Sequence, residues 1–251
     1  MKRVNLLLLV ILISSELFAQ DAAALFEQGN AAYNGGNYAL AVEKYEAILA
    51  QKQHSAALYF NLGNTHYRLG NVAESVYYFE QAKKMQPLDK AIRNNADFAS
   101  NMTLDAIEEL PQTQLEALQQ NILVSFSLNQ WAKIVLCFVW MTFVFFVLYR
   151  FSQKIQFKRL FFVLGCVLLL VTIISFALTQ KKQKEEKQIK AVVFNQEIEI
   201  WAEPNKRADI LFLLHEGTTL EVLSELEGWS KIKLTNGSEG WVENTAIKTL
   251  D

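Results

Sequence analysis

Few side chains in this chain are of a type that does covalent or metal chemistry. There are three histidines, His54, His66 and His215, and two cysteines, Cys137 and Cys166. A histidine ligates a metal or moves a proton only in the company of other groups. None of the three stands at metal-ligand spacing from another histidine or from a cysteine, and His215-Glu216 lacks the second histidine of a zinc-protease helix. Both cysteines lie inside long apolar runs, and no phosphate-cradling glycine loop, dinucleotide fingerprint or G-x-S-x-G elbow occurs. In an antiparallel hairpin the two thiols would differ in depth by roughly 10 Å, too far for a disulfide. These residues predict no catalytic site, no metal and no cofactor. A net charge of −2 gives no general footprint for nucleic acid. What remains is binding chemistry, and the elements that would carry it come next.

The apolar residues are unevenly distributed. Residues 131–149 (WAKIVLCFVWMTFVFFVLY) carry one charge, Lys133, and residues 160–178 (LFFVLGCVLLLVTIISFAL) carry none. Each run has 19 residues, which is about 28 Å as a helix and close to the roughly 30 Å hydrocarbon core of a bilayer. Trp131 and Tyr149 stand where aromatic rings favour the headgroup level. The reading is a two-helix transmembrane hairpin turned by residues 150–159. The competing reading, a buried helical pair of a soluble protein, requires core helices with no polar face over that length.

The N-terminus has the three parts of a secretory signal over residues 1–19. Lys2 and Arg3 are its charged start, Val4–Ile13 its apolar stretch, and Leu17-Phe18-Ala19 places a cut near Ala19/Gln20. Cleaved signal or uncleaved anchor, both readings send residues 21–130 across the membrane. The loop 150–159 then lies in the cytoplasm, where Arg150, Lys154, Lys158 and Arg159 obey the positive-inside rule. The expected location is the bacterial inner membrane, multi-pass, with both soluble domains periplasmic, or exterior in a single-membrane cell.

Between these segments the chain repeats itself with a period of 34. Gly29 aligns with Gly63, Asn30 with Asn64, Gly36 with Gly70, Asn37 with Asn71 and Tyr45 with Phe79. The second copy holds Tyr59, Leu62, Gly63, Ser75, Phe79, Ala82 and Pro87; the first holds Leu25, Gly29, Ala32, Ala41, Tyr45 and Ile48. This pattern resembles the tetratricopeptide repeat (TPR), a helix–turn–helix unit. Glycine and small residues let paired helices approach, Asn34-Gly35-Gly36-Asn37 and Leu69-Gly70-Asn71 are stop-and-turn signals, and Pro87 ends a helix. Residues 88–107 read as one further helix sealing the stack, so that 21–107 is two repeats plus a cap. The resemblance implies a concave face that holds peptides or helices, showing Phe26, Asn30, Tyr33 and Asn34, then Phe60, Asn64, Tyr67 and Arg68. Asn30 and Asn61 match two places of the family's carboxylate clamp, but Phe26 and Ala91 stand where lysines are wanted. An aromatic groove for an extended segment or an amphipathic helix fits better. The alternative is that these aromatics only pack between helices.

Residues 108–130 contain Leu115, Leu118, Ile122 and Phe126 at helical spacing. They predict a helix that lies in the membrane interface or packs on the repeat domain. Residues 179–190 are basic and without apolar period, which predicts a tether. From residue 191 the period changes to two: AVVF, EIEIWA, ADILFLL, TTLEVLSE, WSKIKL and EGWVEN are strand-length runs punctuated by Gly217, Gly228 and Asn236-Gly237. They predict a small all-β barrel. LLHEGTTLEVL, EGWSKIKL and NGSEGWVENTAI resemble the bacterial SH3-like domain over 191–251. The resemblance implies that cell-wall peptides or proteins are ligands, with Trp229 and Trp241 either contacting them or packing the core and turns. Eleven acidic against five basic residues disfavour an anionic polymer there.

The whole is a multidomain membrane protein: all-α TPR helical repeats, a two-helix transmembrane hairpin and an all-β SH3-like small barrel. That order, with Asp105-Ala106-Ile107 before Pro111 and Asn129-Gln130-Trp131 at the membrane, resembles the BatE-type proteins of the Bacteroides aerotolerance (Bat) group. The resemblance implies a non-enzymatic inner-membrane component linked to oxidative-stress resistance. It would work beside von Willebrand A-domain and TPR membrane proteins and a MoxR-type cytoplasmic ATPase. An envelope sensor binding cell-wall peptide is the alternative.

Overall fold

The computed structural model describes residues 21–107 and 113–250. The signal segment 1–19 therefore lies outside the described residues. The chain divides into two compact units. One combines the residues up to 107 with those from Ile189 onward; the other is the intervening hairpin segment.

The first unit begins with two helix pairs, α1 (residues 21–34) with α2 (Tyr38–Ala50) and α3 (Ala56–Leu69) with α4 (Val72–Met85), and then α5 (Lys90–Ser100). Caps explain the boundaries. Asn37, Ser55 and Asp89 accept hydrogen bonds from the first-turn amides of α2, α3 and α5. Gly70, at φ 77°, takes the left-handed conformation that ends α3. The repeat is visible in the packing. A methyl on Gly63 would come within 2.8 Å of the Phe79 ring, and one on Gly29 would overlap the Tyr45 ring. Each glycine thus lets the partner helix lay an aromatic ring on bare backbone. Ser75 donates to the Gly63 carbonyl at 3.0 Å, and Ala41 occupies the matching place in the first pair.

The sealing helix predicted over 88–107 is shorter than expected. It ends at Ser100, where Ser100 and Thr103 hydroxyls donate to nearby carbonyls and compete with helical bonding. The remaining residues to Ile107 turn toward the β strands.

Those strands are β1 (Ile189–Val193), β2 (Glu197–Trp201), β3 (Ile210–His215), β4 (Thr219–Leu226), β5 (Trp229–Lys233), β6 (Glu239–Glu243) and β7 (Ile247–Thr249). They form one antiparallel sheet in the order β3-β2-β6-β5-β4-β1-β7. The predicted runs are present, with β7 in addition. The tight two-residue turn is Glu227-Gly228, both at positive φ, whereas Asn236-Gly237 sits in a wider loop closed by a Leu234 N–H to Ser238 carbonyl bond. Ala191, Val193, Ile198, Ile200, Leu214, Leu220, Val222, Ile232, Leu234 and Val242 share one core.

In the second unit α6 (Gln114–Val124) leads to α7 (Leu128–Phe151) and α8 (Ile155–Glu186). α7 and α8 are antiparallel, with Tyr149 against Phe162 at 5.7 Å and Phe145 against Phe161 at 6.1 Å. Both are long and apolar enough to cross a membrane, and almost none of their side chains are buried by protein. An apolar surface of that extent, including Leu136, Trp140, Phe143, Phe146, Leu170 and Phe176, indicates membrane association. Cys137 and Cys166 are unpaired and exposed on it.

Two segments differ from expectation. The turn is only residues 152–154, so most of the predicted loop 150–159 is helical. Where 179–190 predicts a tether, α8 continues to Glu186 and β1 starts at Ile189. Lysine, glutamine and glutamate are good helix formers, and a Lys182–Glu186 pair at 3.8 Å adds i,i+4 support.

Candidate functional site

Two surfaces of the first unit hold the predicted contact residues, and one junction joins the helices to the sheet. On the helical side, α1, α3 and α5 are linked by asparagines. Asn61 donates to Asn30 at 2.9 Å, and Asn95 donates to Asn64 at 2.8 Å. The same bond recurs 34 residues later. Asn30 also accepts from the Tyr45 hydroxyl at 2.8 Å. Burial pushes the Tyr45 pKa up, against the lowering effect of its hydrogen bond with Asn61.

The eight predicted groove residues divide by this packing. Phe26 lies 5.8 Å from the Tyr45 ring and Phe60 5.9 Å from the Phe79 ring, both half-buried. Asn30 and Asn64 are half-buried in the bonds just described. Tyr33 packs edge-on to Tyr38 at 5.4 Å, and its phenol is the main cause of the raised Arg68 pKa. Asn34, Tyr67 and Arg68 are exposed, Tyr67 at 38%. The inner residues thus stiffen the stack, while the outer three present an amide, a phenol and a guanidinium to solvent. Ala91, at a clamp place, is exposed and offers no cation.

On the sheet, strand alternation decides what faces outward. Ile198, Ile200, Ser230, Ile232, Gly240 and Val242 point into the core. The residues between them point away. Trp201 is directly opposite Trp241 across β2 and β6, and Trp229 meets Trp201 edge-on at 6.5 Å. All three are half-buried. Trp229 and Trp241 were the predicted contacts. Trp201 is the member that sequence reasoning missed, although the alternation of EIEIW already put it on the side of Glu197 and Glu199. Beside it lies a pocket of about 300 Å³ lined by Glu197, Glu199, Trp201, Lys206 and Glu243 among others. Lys206 pairs with Glu243 at 2.8 Å and Lys231 with Glu239 at 2.7 Å. Among the described residues no cluster of three histidine, cysteine or acidic side chains is arranged to hold a metal.

The junction joins residues far apart in sequence. Asp105 accepts from the His215 backbone N–H at 2.7 Å and from the Thr218 hydroxyl. Its other oxygen is 2.7 Å from His215 Nδ1. A carboxylate only accepts, so Nδ1 carries the proton. Burial alone would raise the Asp105 pKa, but the bonds from Thr218 and His215 outweigh it and hold it low. The Asp105 bond raises the His215 pKa, with Glu197 adding to the effect. Around this polar centre the packing is close. A methyl on Gly217, itself at φ 83°, would meet Thr103 at 2.7 Å and Val72 at 2.8 Å. Lys248 Nζ sits 4.2 Å from the Tyr77 ring centre and 5.3 Å from that of Phe194. Val192 and Leu250 from the sheet belong to the helical core. The sheet thus docks on α4 and on the segment leaving α5, while Asn34, Tyr67 and Arg68 stay exposed.

Comparison with known proteins agrees with this division. The tetratricopeptide repeat family matches residues 26–90, and the bacterial SH3 domain family matches residues 199–248. No curated protein matches the chain. The protein is built from a tetratricopeptide repeat and a bacterial SH3 domain, both of them protein–protein interaction modules, on either side of two apolar helices of membrane-spanning length.

Proposed function

We propose that this protein is a non-enzymatic scaffold of the bacterial inner membrane, with its TPR and SH3-like domains in the periplasm, gathering partner proteins in a Bat-type complex linked to oxidative-stress resistance. The observation that carries this reading is the docking of the two modules into one unit that leaves both recognition surfaces open. Asn34, Tyr67 and Arg68 are exposed on the helices, and Trp201, Trp229 and Trp241 share one face of the sheet. Two surfaces held at fixed separation favour simultaneous engagement of two partners or of two segments of one.

The test is affinity purification from mild detergent, comparing the native chain with Asn34→Ala/Tyr67→Ala. Both residues are exposed, so the variant keeps its fold, whereas Phe60→Ala would remove packing on Phe79. Loss of co-purifying membrane proteins, the von Willebrand A-domain members among them, is expected. An unchanged set would remove the groove from the proposal. Alkaline phosphatase fused after residues 110, 153 and 251 is expected to be active, inactive and active; activity at 153 would invert the topology.

A second reading, an envelope sensor, is favoured by the pocket beside Trp201. Glu197 and Glu199 beside an indole, with Glu243 already paired to Lys206, suit the free amine of a cell-wall peptide. Binding of muropeptides to the full chain, abolished by Trp201→Ala, would move this reading ahead of the scaffold. With only residues 150–159 between the two apolar runs, the hairpin offers little output surface on the far side, and the scaffold ranks first.

A further inference from the structure

We propose that α6 is an interfacial helix, lying along the headgroup–acyl boundary of the membrane that α7 and α8 span. The proposal rests on the membrane reading of the hairpin and goes beyond it, because α6 is too short to cross and neither matched family includes it.

Leu115, Leu118, Ile122 and Phe126 recur at intervals of three and four residues, so one stripe carries them all. They are the large apolar side chains that α6 and its exit leave uncovered, Leu115 at 75% and Leu118 at 56%. The neighbouring stripe is anchored. Leu123 is fully buried, and Gln119 accepts from Lys181 of α8 at 2.8 Å. At the exit, Phe126 packs edge-on to Trp131 at 5.6 Å, and the Trp131 ring N–H donates to the Leu123 carbonyl at 3.3 Å. Both ends of the segment are closed by side-chain capping boxes, Thr113 with Glu116 and Ser127 with Gln130. The Gln119–Lys181 bond and buried Leu123 orient the helix, with its apolar stripe left uncovered.

Continuity decides the occupant. The exposed stripe adjoins the packed one, so the apolar surface of α6 runs directly into that of the hairpin, whose own cover is lipid. The level is also right. α6 meets α8 at Lys181, just past the end of its apolar run, where Lys182 and Lys184 follow and where cations face lipid headgroups. Glu116, Gln120 and Asn121 point to the other side of α6 and meet water.

The test uses the full chain with Cys137→Ala and Cys166→Ala. A single fluorophore is attached at Leu118→Cys or, as a reference in the middle of α8, at Leu170→Cys. Both positions are exposed, so neither label disturbs packing. Each protein is reconstituted into vesicles of phosphatidylcholine with phosphatidylglycerol. Three quenchers are compared: lipid brominated near the headgroup end of the chain, lipid brominated near the methyl end, and aqueous iodide. At Leu118→Cys the shallow brominated lipid should quench most. At Leu170→Cys the deep one should. Quenching of the Leu118→Cys probe by iodide and by neither lipid would overturn the proposal. Protection from all three quenchers would overturn it too, because a second copy or another protein would then cover the stripe. If the Leu170→Cys probe escapes the deep lipid, the membrane reading itself fails, and the two failures are distinct.

Discussion

Replacing Asp105 by alanine separates the contribution of the junction from that of the two domains it joins. The carboxylate accepts three hydrogen bonds, from the His215 backbone, His215 Nδ1 and Thr218 Oγ1. In the Asp105→Ala variant the imidazole, about a quarter exposed, turns to water. The Thr218 hydroxyl, only 4% exposed, loses its acceptor without such an escape, and the His215 amide loses a hydrogen bond to a charged group. An unsatisfied buried donor costs about 1–3 kcal/mol and a hydrogen bond to a charged group contributes about 1.5–3 kcal/mol, which together place the loss at about 2.5–6 kcal/mol. With about 4 kcal/mol as the central value and roughly 2–4 °C per kcal/mol for a unit of this size, the melting temperature should fall by about 8–16 °C. Thr218→Val removes one donor along with its bond and should cost less than Asp105→Ala. A double-mutant cycle between the two isolates their coupling, expected at about 1.5–3 kcal/mol for a hydrogen bond to a charged group. The assay is thermal melting in detergent followed by circular dichroism, with hydrogen exchange read at β1 and at the β3–β4 turn. If Asp105→Ala melts within about 0.5 kcal/mol of the native chain and β1 keeps its protection, the carboxylate does not hold the junction and the argument fails.

The same pair makes the junction pH-dependent. The folded pKa of His215 is raised, so its contribution is complete below about pH 6.5 and fades as pH rises through the folded value; that of Asp105 is lowered, so its contribution is complete above about pH 3.9 and is lost as pH falls through the folded value. Melting temperature against pH should therefore peak between those limits, and His215→Gln should flatten the alkaline flank and also weaken the acid one, because the imidazole helps to hold the Asp105 pKa low. Gly63→Ala drives a methyl against the Phe79 ring and should destabilise by about 1–3 kcal/mol in a denaturant titration, whereas alanine at exposed Gly35 should cost far less. Lys248→Met keeps the aliphatic stem over Tyr77 and Phe194 but removes the cation, and should lower stability by about 0.5–1 kcal/mol in the same titration.

Much of the architecture was legible because it repeats or alternates. The period of 34 located both helix pairs, and the glycine–aromatic contacts of Gly29 with Tyr45 and Gly63 with Phe79 are its physical basis. The period of two located the strands and, read strictly, put Trp201 on the outward side with Glu197 and Glu199; that it stands opposite Trp241 follows from the β2–β6 pairing. The junction left no such trace. Asp105 and His215 are separated by 110 positions, and nothing local distinguishes an aspartate that binds a distant turn from one that caps a helix. The resemblance singled out Asp105-Ala106-Ile107 without saying what those residues do. Charge patterning misdirected the reading at 179–190, because a run of lysines without apolar period is compatible with helix when the preceding helix supplies the nucleus. The division of the groove into stiffening and exposed residues also depended on partners two helices away, as Asn30 and Asn61 illustrate.

The large sequence separation within the first unit sets a clock on its assembly. Helices α1–α5 pair with near neighbours and can fold before the β strands are made. The face of α4 carrying Val72, Val76 and Tyr77 must then wait for Gly217 and Lys248, and Asp105 must wait for His215. At about 5–20 residues per second, a separation of 110 residues is roughly 5–20 s of synthesis. For that interval the helical half presents an apolar face and an unpaired carboxylate while the hairpin is being made. A nascent chain stalled within α8 is thus the form most in need of a chaperone, and release should begin with the turn before β4 and be complete only with the arrival of β7.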